Sequence, residues 1–157
     1  MTAAPHTAVL EQAKALVAAV DEVDDAERAF DQQVRSAFGV NNTDFSVLHF
    51  VDREQRRGGT VRVGDIAVRF GVSSGSATEI VHRLTESGLV HRVPHPTDAR
   101  VRRLELTEDA STRFAELLGP VRTELDALLA TIPDADQMRM VQLLALVRDI
   151  FRRTGDA

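Results

Sequence analysis

Apolar positions recur along this chain in alternating steps of four and three. Val9, Ala13, Leu16, Val20, Val23, Phe30 and Val34 predict one long helix over 7–37, interrupted at Glu27. A repeat of about 3.5 residues is that of a helix packed lengthwise along another. Gly39 and the Asn41-Asn42 pair end it. Thr43 or Asp44 then caps a second helix that carries Phe45, Leu48, Val51 and Glu54. Arg56, Arg57, Gly58 and Gly59 make a basic break, and 60–63 is a short strand candidate.

A third, short helix is predicted over 64–70, with Gly71 placed for a left-handed stop. Ser73 caps a fourth helix over 74–87, which Gly88 ends. Residues 89–93 form a strand, 94–100 a polar loop with two prolines, and 101–106 the returning strand. Thr107-Glu108-Asp109 opens a fifth helix with a cap and an acidic first turn. Phe114, Leu118, Val121, Leu125, Leu128 and Ile132 keep the four-three spacing along it. Gly119-Pro120 lies inside that pattern and predicts a kink rather than a stop. Asp134 starts the last helix, with Met140, Leu143, Leu144, Val147, Ile150 and Phe151 inward. Helix, tight turn, helix and hairpin over 64–106 spell a winged helix. The fold class is mainly α with a small β-hairpin wing.

Composition narrows the function. The 157 residues suit a single domain, and 43% hydrophobic with 27% charged residues are ordinary values for a water-soluble chain. No run approaches the eighteen apolar residues of a membrane span, and no secretory signal opens the chain, so a cytoplasmic protein is expected. The absence of cysteine excludes disulfides, thiolate catalysis and cysteine-ligated zinc. His6, His49, His82, His91 and His95 show no ligand-pair spacing, so no metal site is expected. No nucleophile–base set and no glycine-rich phosphate loop appears, which speaks against an enzyme and against a cofactor.

The net charge of −5 is unevenly spread. Residues 53–103 hold ten arginines and five acids, a balance of +5, whereas the remainder carries −10. Such asymmetry suits one surface for a polyanion, or a merely solvated arginine-rich region. In the fourth helix Ala77, Ile80, Val81 and Leu84 face the core. That leaves Ser74, Ser76, Thr78, Glu79, His82 and Arg83 for solvent or DNA. Glu79 is able to accept from cytosine N4 or to pair with Arg83 at i,i+4; the ion pair is the expectation.

The run from Gly71 to Ala110 resembles the core of the MarR family of bacterial transcription regulators. The resemblance rests on the Gly71-Val72-Ser73 turn, Arg83-Leu84, Gly88-Leu89-Val90 with Arg92, Asp98-x-Arg100 in the wing, and Leu106-Thr107. The flanking helices fit the family layout as well. The resemblance implies a single domain over 1–157, with 1–43 and 107–157 as a helical dimerisation lobe and 44–106 as the DNA-binding lobe. It implies a homodimer on an inverted-repeat operator in double-stranded DNA, and a repressor released by a small aromatic effector. Without it, the apolar seams also suit an all-intramolecular bundle. Arg100 takes the family's minor-groove role, with Asp98 orienting it; Arg102 and Arg103 are expected on phosphate, as are His82 and Arg83. Ala99 stands where the family often has a second arginine, and Glu79 where many members carry a basic or neutral residue. For the effector, Phe45, His49, Arg53 and Phe114 are the pocket candidates, although a core or interface role for His49 is the plainer one. The rival reading is a winged-helix protein-interaction module without a specific DNA site; the basic wing argues against it.

Overall fold

The computed structural model describes residues 4–95 and 98–155, and their side chains except those of 4–10, 13, 95, 98–101 and 155. Six helices and one hairpin follow in the order α1 (Ala4–Phe38), α2 (Asn42–Arg56), α3 (Val63–Phe70), α4 (Ser74–Glu86), β1 (Val90–His95), β2 (Asp98–Leu106), α5 (Glu108–Leu129) and α6 (Asp134–Gly155). They fall into two compact units, one ending at Ser111 and one beginning at Thr112.

In the first unit the caps set the boundaries. The cap of α2 is Asn41, whose side chain accepts from the Asp44 amide at 2.9 Å. Thr43 and Asp44, the expected caps, lie within the helix instead. An Asn at the N-cap satisfies an otherwise orphaned amide one turn on, and it releases the Asp44 carboxylate for another partner. The turn between α3 and α4 is built as expected. Gly71 closes α3 in the left-handed region at φ +62°, where a Cβ would be strained. Ser73 caps α4 by accepting from the Ser76 amide at 3.1 Å.

Strands β1 and β2 are antiparallel, from Val90 opposite Leu106 to Pro94 opposite Arg102. The register then shifts between Pro94 and His95, so that His95 faces Asp98. The expected loop over 94–100 is therefore mostly strand, and only Pro96 and Thr97 of it lie outside the described residues. Proline lacks the amide donor, and Pro94 coincides with the irregularity, where ladder bonds are given up. The strand expected over 60–63 reduces to one bridge, the Leu104 amide donating to the Val61 carbonyl at 2.8 Å.

The core of this unit gathers Val34 and Phe38 of α1, Val47, Leu48 and Val51 of α2, Ile66 of α3 and the Ala77, Ile80, Val81, Leu84 stripe of α4, with Val90 and Leu104 from the hairpin. Polar clasps close the hairpin base: the Leu106 amide donates to Gln55 Oε1 at 2.9 Å, and Thr107 Oγ1 donates to the Gly88 carbonyl at 2.8 Å. Farther up α1, Leu16, Val17, Val20 and Val23 are exposed. Val9 and Ala13 of the same seam lie outside the described side chains.

In the second unit α5 continues through Gly119-Pro120 without stopping. Phe114 and Leu118 are buried. Beyond them Val121, Leu125, Leu128 and Leu129 are exposed, as are Met140, Leu143, Leu144, Ile150 and Phe151 of α6. Gln137 Nε2 donates to the carbonyls of Leu129 and Ile132 and so fastens the α5–α6 turn. Among the described residues, no helix is long and apolar enough to cross a membrane.

Candidate nucleic-acid interface

The exposed face of α4 follows from its buried one. With Ala77, Ile80, Val81 and Leu84 turned to the core, Ser74, Ser76, Thr78, Glu79, His82 and Arg83 are left exposed. The hydroxyls are engaged locally: Thr78 Oγ1 donates to the Ser74 carbonyl at 2.8 Å, and the Ser73 and Ser76 hydroxyls lie 2.9 Å apart. Each oxygen retains acceptor capacity for an incoming donor. His82 Nδ1 lies 3.1 Å from Glu86 Oε2, one turn on.

Arg83 is held from a different helix. Its Nε donates to Asp44 Oδ2 at 3.0 Å and its Nη2 to Asp44 Oδ1. Asp44 is buried, so a carboxylate that would otherwise be stranded is satisfied by a planar fork. These hydrogen bonds hold the guanidinium further above its ordinary range, and the charge of Glu79 is the smallest contribution to that rise. The expected Glu79–Arg83 pair is thus replaced by Asp44–Arg83. A two-toothed hydrogen bond to a buried acid outcompetes a solvated i,i+4 contact. Asp44 is the residue that sequence reasoning missed. Its one signal is an acid placed a turn past an Asn that caps equally well.

On the wing, Arg102 is exposed. Arg103 is half-buried and tied to Glu105 at 2.6 Å, and His91 Nε2 lies 3.6 Å from the same carboxylate. The side chains of Asp98 and Arg100 lie outside the described residues.

Three of the four pocket candidates, Phe45, His49 and Arg53, line one cleft of about 260 Å³ within the first unit. Its walls also take Phe50, Arg69 and Phe70. Phe45 stacks on His49 at 5.9 Å, Phe50 meets the edge of Phe70 at 5.9 Å, and the Arg53 guanidinium sits 5.8 Å over the Phe50 ring. The Arg53 Nε is buried without a hydrogen bond, and Glu54 Oε1 stands 3.7 Å from it. Phe114, the fourth candidate, is buried in the second unit. Among the described residues no cluster of three or more His, Asp or Glu side chains is arranged to hold a metal ion.

The chain is similar to known proteins in sequence and in fold. Residues 38–101 match the MarR family model. The chain is 25% identical over 96 residues to the HTH-type transcriptional repressor MdtR of Bacillus subtilis (strain 168). That match covers 61% of this chain and 62% of MdtR, under two thirds of the relative's length. In fold the chain is similar to a mutant of MepR from a multidrug resistant S. aureus clinical isolate, with a TM-score of 0.63 at 13% identity over 87% of this chain and 96% of the other. It is similar also to S. aureus MepR bound to ethidium bromide, with a TM-score of 0.55 at 15% identity over 86% of this chain and 95% of the other.

Proposed function

We infer, from the match of residues 38–101 to the MarR family model, that this protein is a MarR-family, DNA-binding transcription regulator. It acts as a homodimeric repressor on an inverted repeat and is released by a small aromatic effector. The observation that carries the DNA-binding reading is the outward polar face of α4, joined to a hairpin within a segment of net charge +5. A helix so presented fits the major groove, and Arg100 and Arg102 on the hairpin supply contacts to the adjoining backbone and minor groove. The relative MdtR is a transcriptional repressor by name, which supports the repressing sign.

Exposed apolar faces support the homodimer. Leu16, Val20 and Val23 on α1 are large side chains left to solvent in a single chain, as are Leu125, Leu128, Leu144 and Phe151 on α5 and α6. Runs of apolar exposure along a helix mark an association surface. The Phe45–His49–Arg53 cleft supports the effector, as does the MepR structure bound to ethidium bromide. Here Arg53 and Arg69 favour a ring that carries an acceptor, while Asp31 in the same wall offers a place to a donor.

One observation favours the rival protein-interaction module: Asp44 and Glu105 already pair with Arg83 and Arg103. Selection of bound sites from a random duplex pool, followed by titration of the selected and a scrambled duplex across a salt series, separates the two. The regulator enriches a two-fold symmetric site with half-site centres about one helical turn, roughly 10 bp, apart. A module that serves only protein partners enriches none.

A further inference from the structure

Glu79 occupies a singular position on α4. At about 100° per residue, the direction opposite the Ala77, Ile80, Val81, Leu84 stripe falls to Gly75, Glu79, His82 and Glu86. Gly75 has no side chain to hold a partner away from that line, and His82 and Glu86 are engaged with each other. Arg83, one turn from Glu79, gives its Nε and Nη2 to Asp44. Among the described residues Glu79 is left with no hydrogen bond and no ion pair, on an open concavity lined by Thr78, Glu79, His82 and Arg83. Of the two carboxylates on this outward line, Glu79 is therefore the one that no hydrogen bond or ion pair satisfies.

We propose that Glu79 is a specificity-determining residue that accepts a hydrogen bond from the exocyclic amino group of a cytosine in the major groove. The proposal rests on the DNA-binding reading above. A carboxylate brought between two phosphate backbones meets repulsion at every sequence. It recovers that cost only where a base edge presents a donor. Guanine and thymine present acceptors there, and adenine sets its N6 donor beside the N7 acceptor, which repels a carboxylate; cytosine N4 is the donor that Glu and Asp read. Glu79 thus works chiefly by exclusion: it weakens all duplexes and penalises least those with cytosine at one position of each half-site. Were Glu79 neutralised by Arg83, the repulsion and the selectivity would both fade. Two hydrogen bonds to Asp44 hold the guanidinium out of direct contact with Glu79, so that Arg83 acts on it only through its charge.

The test selects sites from a random duplex pool with the full-length parent, Glu79→Gln, Glu79→Ala and, as a control on the same face, Glu86→Gln. Circular dichroism melts establish that each is folded; Glu79→Gln, of nearly the same shape, keeps the test intact if Glu79→Ala melts early. The parent should enrich cytosine at one symmetric position per half-site, with replacement there costing on the order of tenfold or more in affinity. Glu79→Gln should move that preference to adenine, whose N6 and N7 suit an amide. Glu79→Ala should flatten it, and both should bind a random duplex more tightly than the parent. Glu86→Gln should keep the parent's site. Identical sites for the parent and both Glu79 variants would overturn the role of Glu79 while leaving DNA binding intact. A parent that enriches no sequence would overturn the DNA-binding reading itself.

Discussion

Arg83 of α4 and Asp44 of α2, thirty-nine residues apart, are joined through two hydrogen bonds, Nε to Oδ2 at 3.0 Å and Nη2 to Oδ1. The pair ties the fourth helix to the second beside the buried Ala77, Ile80, Val81, Leu84 stripe. It also consumes two of the five donors on the guanidinium and leaves three for an outside partner. Arg83 is thus both a strut of the unit and an arginine whose charge is already balanced.

The strut has a signature in mutant stability. Asp44→Asn and Arg83→Ala should each lower the melting temperature, and the double variant should melt little below the worse single one. Two residues acting through one interaction give such non-additivity. Full additivity in a double-mutant cycle by thermal denaturation would show that the pair is not coupled.

Charge balance predicts different salt responses on the two elements. Arg102→Ala should weaken operator and random duplex alike and reduce the salt slope by about one per contact. Arg83→Ala should reduce it less, because a guanidinium already paired with Asp44 displaces fewer counterions from phosphate. Arg100→Ala should weaken binding by about 1–3 kcal/mol per site if its guanidinium enters a narrow minor groove. Fluorescence anisotropy across a salt series reads all three.

Packing under α4 is unforgiving. Leu84 is 1% exposed, so Leu84→Ala should destabilise the fold by about 2–5 kcal/mol through lost transfer energy and a residual cavity. Urea denaturation measures this. A cost below about 1 kcal/mol would mean that α4 settles onto α2 and α3 without it.

Assembly is tested by mass. Light scattering at micromolar concentration should give about twice the 17.2 kDa of one chain. Leu125 and Leu128 are 51% and 59% exposed in the single chain, so Leu125→Asp or Leu128→Asp should halve the mass before it harms a lone subunit. A parent that stays at 17.2 kDa throughout would remove the homodimer.

The repeat of apolar positions dictates the helices of this protein, and Gly71 and Ser73 dictate the turn between α3 and α4. These are local effects: an αL glycine, a cap one turn from its amide, and side chains that share a face at i, i+3 and i+4. The family resemblance added the meaning of the hairpin and of its arginines. The cap of α2 was expected at Thr43 or Asp44, and Asn41, whose chemistry is the same, holds that position instead. The Asp44 carboxylate meets a guanidinium thirty-nine positions away. The same contact left Glu79 without the partner its i,i+4 spacing offered. Cross-strand pairing likewise extended the strands into 94–100 and shortened 60–63 to a single bridge, because strand length is set by the partners available across the ladder. Spacing within a helix is written in the chain, but competition for one buried carboxylate is decided only once distant helices meet.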